Sequence, residues 1–261
     1  RLLELPQVIV TPHLGASTAE AQLNVAIDVA VEMAKVLKEE PFKNAVNMPT
    51  VRPEVMKVLT PYFPLAEKLG ILIGQLSEGR LQRLEVEYSG EIANYELAPL
   101  TTLVVEGLLK PILNGEVNKV NARVIAKQRG LKIAERKEAT DPDYNNKIRL
   151  KAVTDRGEHV VAGTFFRQND LRLVEIDGYH FEVVPEGHLL IAPHKDQPGI
   201  IGQVGTILGA AGINIAYMQV GRKEIGGTAI MVLTVDHEVP TAVLKQLSGI
   251  KGLAQPVQVQ L

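Results

Sequence analysis

The sequence predicts a multidomain chain of α/β and α+β class, and three observations carry that reading. First, Val8-Ile9-Val10 runs through Thr11-Pro12-His13 into an apolar helical period, the strand, loop and helix order of a parallel α/β core. Second, between Val51 and Gly187 helical periods give way to period-two segments separated by Asp, Asn and Gly, as in an α+β domain. Third, from His188 onward the order is strand, helix, strand, strand, helix, strand, the ferredoxin-like βαββαβ arrangement. Domains are accordingly expected at residues 1–50, 51–187 and 188–261.

Val8 to Val10 have the β-branched, apolar character of a buried strand. Pro12 disfavours a helical Thr11, so the strand must end before His13. Ser17 and Glu20 stand three apart, a capping-box spacing that starts a helix over residues 17–38, with Leu23, Ile27, Ala30, Ala34 and Leu37 on one face. Pro41 is expected to end that helix. Asn44 to Pro49, followed by Pro53, reads as a linker.

In the middle segment a helix is expected near residues 65–78. Leu84, Val86 and Tyr88 then alternate with Glu85 and Glu87 as a half-exposed strand. Helices follow at 97–113 and 116–128, the second capped by Gly130. Strands are expected at 147–154, 158–166, 171–176 and 179–184, joined by turns at Asp155-Arg156-Gly157, Gln168-Asn169-Asp170 and Asp177-Gly178. The last segment reads as strand 189–192, helix 199–211, strands 213–220 and 228–235, helix 241–247 and strand 256–261. Gly226-Gly227 makes its central turn and Gly212 caps its first helix. Gly202, Gly205 and Gly209 share one face of that helix, which is read as close packing on the sheet.

Composition narrows the function classes. The chain has 261 residues, is 46% hydrophobic and carries a formal charge of −2, ordinary values for two or more small domains. A pI near 6.4 and the lack of a dense basic stripe give no footprint for a nucleic acid partner. Without cysteine there is no disulfide, thiolate chemistry or cysteine-ligated metal. No apolar run reaches the ~18 residues of a membrane span and no leader pattern opens the chain, so no membrane association and a cytoplasmic location are expected. His159, His180, His188 and His237 lack ligand spacing, and no metal is assigned. Arg1 is not an initiator methionine, Gly-x-Gly-x-x-Gly is absent, and Val8 to Val10 cannot make a sheet alone; a piece of a longer chain is expected.

Two stretches carry chemistry. His13 is placed where an imidazole could do acid–base work near neutrality, or make only a structural hydrogen bond. In the last segment, Pro198 and Gly199 open a helix whose free N–H groups suit a carboxylate, with Asp196 and Asn214 as acceptors for an ammonium group and His194 nearby. Together these have the polarity of a small amino acid, and the helix entry and the start of the next strand are expected to adjoin in this topology. Asp196 could instead serve as the helix cap, or do both. Arg123, Lys127, Arg129 and Lys132 could meet a phosphorylated ligand or form a solvated helix face.

Thr11-Pro12-His13-Leu14-Gly15-Ala16-Ser17-Thr18 resembles the histidine loop of the D-2-hydroxyacid dehydrogenases, and its continuation through Glu20-Ala21 looks most like the phosphoglycerate dehydrogenase branch. The resemblance implies the end of a Rossmann-type dehydrogenase core, with NAD as cofactor and 3-phosphoglycerate as substrate. His13 would be the acid–base residue, and His13, Leu14, Gly15 and Ala16 would face the nicotinamide. The family's carboxylate-binding Arg and histidine-orienting Glu have no counterpart here; Glu4 does not match the latter. Residues 51–187 are similar to the family's intervening allosteric-substrate-binding domain. His194-Lys195-Asp196-Gln197-Pro198-Gly199-Ile200-Ile201 with Gly212-Ile213-Asn214-Ile215 resembles the ligand loop of ACT domains. That implies L-serine as effector at His194, Asp196, Gly199 and Asn214, and a homo-oligomer, dimer or tetramer, built by edge-to-edge ACT pairing. Asp196 stands where many serine-binding members carry asparagine. The alternatives are a regulatory, oligomerising amino-acid-binding fragment without catalysis, and a serine dehydratase subunit, which has no need of the His13 loop.

Overall fold

The computed structural model describes residues 2–38, 45–47, 51–113, 117–166 and 170–261. Two compact units are present, Arg1–Thr50 and Val51–Leu261. Among the described residues no helix is long and apolar enough to cross a membrane.

In the first unit a 3-10 turn at Leu2–Glu4 precedes helix α1, Ala19–Leu37. Val8 to Val10 form no strand, contrary to the sequence expectation: a strand needs a neighbouring strand, none pairs with them among the described residues, and the Val8 N–H donates instead to the Leu5 carbonyl at 3.0 Å in a local turn. The helix cap is Thr18, whose Oγ1 accepts from the Ala21 N–H at 3.1 Å. Ser17 is therefore one residue too early to cap, and the third helical position is Ala21, which has no carboxylate to close a capping box. Pro41, Asn44, Met48 and Pro49 lie outside the described residues.

The second unit begins with α2 (Pro53–Leu59), which the linker reading missed. Pro53 sits in its first turn, where a missing N–H costs nothing. A 3-10 turn at Thr60–Tyr62 leads into α3, Phe63–Leu76. After β1 (Leu81–Gly90), α4 (Ala98–Leu109) returns to pack on α3. The two helices nearly touch through glycine. A methyl at Gly70 would stand 2.3 Å from the Val104 carbonyl oxygen, one at Gly74 2.5 Å from that of Leu108, and one at Gly107 2.3 Å from that of Glu67.

Helix α5 is shorter than expected, Ala122–Gln128, because Asn118 Oδ1 accepts from the Val120 and Asn121 N–H groups and holds the preceding residues in a turn. Gly130 (φ 73°) caps it. Strands β2 (Lys132–Glu138), β3 (Asn146–Thr154), β4 (Glu158–Phe165), β5 (Leu171–Ile176) and β6 (Tyr179–Val183) follow. Their sheet has the order β2-β1-β3-β4-β5-β6, with β2 parallel to β1 and the other pairs antiparallel. Leu84, Val86, Ile148 and Leu150 bury one face under the helices; the other carries Glu85, Lys147 and Arg149. The β5–β6 turn is Asp177-Gly178, both at positive φ. Gln168 and Asn169 lie outside the described residues.

The remaining elements are β7 (His188–Lys195), α6 (Ile200–Ala210), β8 (Ile215–Arg222), β9 (Thr228–Val235), α7 (Thr241–Ser248) and β10 (Val257–Gln260). Their sheet order β10-β7-β9-β8 is the ferredoxin-like one. Leu190, Ala192, Met231 and Leu233 face α6 and α7. Leu189, Ile191, Ile230, Val232 and Val259 instead join the core of the preceding domain, so this sheet is buried on both faces. Gln75 on α3 completes the junction by pairing with the Gln260 backbone: its Nε2 donates to the Gln260 carbonyl at 2.9 Å, and its Oε1 accepts the Gln260 N–H at 3.1 Å.

One expectation about α6 fails. Its sheet-facing residues are Ile200, Val204 and Leu208, all buried, whereas methyls at Gly202, Gly205 and Gly209 would meet nothing within 4 Å. The glycine stripe faces outward because it lies on the face of the helix opposite these four-residue steps.

Candidate functional site

The His13 loop is solvent-exposed from Thr11 to Ala16. A turn closed by the Ser17 N–H donating to the Leu14 carbonyl at 3.1 Å presents Leu14 and Gly15 at its tip. Among the described residues His13 has no hydrogen-bond or ion-pair partner. Space is open around Gly15. The loop can thus offer an imidazole and bare backbone to a flat group, and supplies no phosphate-binding turn.

The second site is built from the ends of β7 and β8. His194, on β7, is buried, and its Nδ1 lies 3.0 Å from the Ala192 carbonyl. A carbonyl only accepts, so Nδ1 carries the proton and Nε2 is left facing outward from that bond. Asp196 does not cap α6, whose start has no side-chain cap and a Gly199 in the left-handed region (φ 93°). Its Oδ2 instead accepts from the Gly226 N–H at 3.1 Å and from Arg222 Nη1 at 3.2 Å, and its own N–H donates to the Gly227 carbonyl at 2.9 Å. These bonds, that of Gly226 first and then Arg222, hold the Asp196 carboxyl below the usual carboxylate range. The α6 N–H groups are left uncapped, an anion-facing end beside a charge-compensated carboxylate.

Asn214 is elsewhere. Its Nδ2 donates to Asp236 Oδ2 at 3.0 Å, and it precedes β8. His188 and Ile215 both pair with Val235, while Lys195 pairs with Thr228 and Arg222 with Ala229. β7 and β8 therefore run parallel on either side of β9, so Asp196 and Asn214 lie at opposite ends of the sheet, about 30 Å apart at roughly 3.3 Å per residue. The sequence expectation that they adjoin within one chain fails, because it took the helix entry and the following strand as neighbours without counting the length of α6 between them.

The structure also supplies what sequence reading missed. Arg222 and the Gly226 N–H are the partners of Asp196, and Asp236 that of Asn214; only the β7–β9–β8 register brings them together. Of the cations singled out in the middle domain, Arg123 is already committed to Thr102 Oγ1 (3.0 Å), the Ala98 carbonyl (3.3 Å) and Glu135 (3.1 Å).

Comparison with known proteins agrees along the chain. Residues 58–177 match the model described as D-3-phosphoglycerate dehydrogenase intervening domain, and residues 190–252 match that of the ACT domain. Among similar curated proteins, the D-3-phosphoglycerate dehydrogenase of Synechocystis is 44% identical over 100% of this chain and 47% of its own length. The proteins of the same name from Bacillus subtilis (40% identical, 97% of this chain, 48% of its length) and Methanocaldococcus jannaschii (41%, 100% and 49%) match the same way. The chain spans about half the length of the curated relatives it matches. By its intervening domain, its ACT domain and its likeness to these relatives from end to end, the chain belongs to the D-3-phosphoglycerate dehydrogenase family.

Proposed function

We propose that the chain is the regulatory part of an NAD-dependent dehydrogenase that oxidises 3-phosphoglycerate to 3-phosphohydroxypyruvate in serine biosynthesis, and that its ACT domain binds L-serine between two copies. His13, exposed on its loop, is the group that takes the proton of the substrate hydroxyl. NAD, when bound, accepts the hydride. The loop His13 to Ala16 fits only the nicotinamide end of such a cofactor, since space is open at Gly15 and no phosphate-binding turn is present.

The observation that carries the effector reading is the placement of its residues at the two ends of one edge strand. His194, Asp196 and Gly199 lie at the Arg222 end of β8 and Asn214 at the other. A two-fold pairing of two copies along β8 is antiparallel, so it brings Asn214 of one copy to the Asp196 end of the other. The surface available for it is apolar and smooth: Met218 and Val220 on β8 and Ile201 on α6 are exposed, beside the outward glycines of α6. The ligand's carboxylate meets the α6 N–H groups and its ammonium meets Asp196 and Asn214.

Titrating serine, alanine and glycine into the wild type and Asn214→Ala tests this. Serine is expected to bind at least tenfold more tightly than alanine, because without its hydroxyl a buried polar group goes unpaired at about 1–3 kcal/mol. The substitution is expected to remove that preference. Equal binding of serine and alanine, or an unchanged affinity in Asn214→Ala, places the site elsewhere.

A further inference from the structure

The β8–β9 hairpin touches the ACT loop on one side and the intervening domain on the other. Toward the loop, Arg222 Nη1 and the Gly226 N–H donate to Asp196 Oδ2, and the Gly227 carbonyl accepts the Asp196 N–H. Toward the intervening domain, every second residue of β8 meets β6, the edge strand of the six-stranded sheet. Tyr217 Oη donates to the Glu182 carbonyl at 3.4 Å, and Gln219 Oε1 accepts the Glu182 N–H at 2.5 Å, which gives partners to backbone groups on an edge. A methyl at Gly221 would stand 3.1 Å from the His180 carbonyl oxygen, so the two strands approach closely there. Lys223 continues the series: its Nζ donates to the Asp177 carbonyl at 3.4 Å and lies 4.6 Å from the centre of the Tyr179 ring. Tyr179 Oη in turn donates to Thr228 Oγ1 at 2.6 Å, where β9 begins.

The β5–β6 turn that receives these contacts is tied to its own sheet. The Asp177 N–H donates to the Val160 carbonyl at 2.8 Å, Asp177 Oδ1 accepts the Val160 N–H at 2.8 Å, and Oδ2 lies 2.9 Å from His159 Nδ1. The hairpin tip is the looser partner, since Lys223 to Gly226 are exposed, Ile225 at 85%. Beyond the β7–β9 ladder, which ends at Thr228, its ties to the ACT loop run through Asp196.

We propose that this hairpin couples the effector site to the β5–β6 turn of the intervening domain, with Lys223 and Tyr179 as the coupling residues. The inference rests on the reading that an amino acid binds at Asp196. A ligand ammonium against that carboxylate adds a charged partner to the group that already holds Arg222 and Gly226, and so fixes the hairpin between the ligand and β6. A hairpin so fixed presents Lys223 and Thr228 to Asp177 and Tyr179 in one position, and local opening of the turn becomes rarer. The coupling is one free energy shared by both sites, so cutting it weakens the ligand by the factor that the ligand protects the turn.

Backbone hydrogen exchange of the full chain, with and without saturating L-serine, tests this. Exchange at residues 177–183 is expected to slow by about fivefold or more with serine, the lower end of ordinary coupling between sites. In the double variant Lys223→Ala, Tyr179→Phe that slowing is expected to vanish, while serine still binds, weaker by about the same factor, and still protects β7 and β9. Ile225→Ser, at the exposed tip, keeps the whole response. Serine that binds without slowing exchange at 177–183, or slowing that survives in the double variant, overturns the coupling and leaves the effector site standing. A chain that binds no serine overturns both.

Discussion

Replacing Gly70 and Gly107 together by alanine is expected to destabilise the Val51–Leu261 unit by about 4 kcal/mol. Each methyl would meet backbone, the carbonyl oxygen of Val104 in one case and of Glu67 in the other, both at 2.3 Å. Backbone cannot swing aside as a side-chain end can, which puts each contact near the top of the ~1–3 kcal/mol overpacking range. Against this stands roughly 1 kcal/mol of helix propensity gained at each position. Gly209→Ala is the internal control: its methyl meets open space, so only the propensity gain remains. Denaturant titration of the three proteins decides. A double variant as stable as the wild type would mean that α3 and α4 can separate freely, and that their crossing does not set the position of the sheet.

In the intact enzyme, His13→Ala is expected to lower kcat by about 10²-fold or more, the scale on which a positioned acid–base group acts. Among the described residues His13 makes no bond whose loss would damage the fold, and Thr11 to Ala16 are exposed. A loss of turnover with an unchanged melting profile therefore reports on chemistry. His13→Gln, which keeps hydrogen bonding but cannot carry the proton, should be equally slow. Unchanged turnover in either variant would remove His13 from the mechanism.

The fold was legible wherever one face of an element is buried. Leu84, Val86 and Tyr88 announce β1 by alternation, and all three are fully buried. Strand β2 was not legible, because Lys132–Glu138 is almost wholly charged and exposed and is held by parallel pairing to β1 rather than by its own side chains. Val8 to Val10 failed for the converse reason: apolar content favours a strand, but only neighbours make one. The site was legible as residue types and not as an assembly. His194, Asp196 and Gly199 lie together at one end of the ACT sheet, yet Arg222 and Gly226 take the carboxylate of Asp196, and the sheet register puts Asn214 at the other end. Glycine spacing on α6 identified one face correctly. Which way that face points depends on Ile200, Val204 and Leu208, whose four-residue steps turn it outward.

The central claim is that the effector site is shared between two copies, and mixing two broken chains tests it most directly. Asp196→Ala and Asn214→Ala should each lose serine binding as pure proteins, because every site then lacks one of its two acceptors. Mixed in equal amounts and allowed to exchange, they form mixed dimers in which one site combines the intact Asp196 of one copy with the intact Asn214 of the other. Random exchange makes half the dimers mixed, with one good site in two, so titration should recover about a quarter of the wild-type sites at wild-type affinity. Exchanged dimers that bind no serine at all would contradict the account and put the whole site within a single chain.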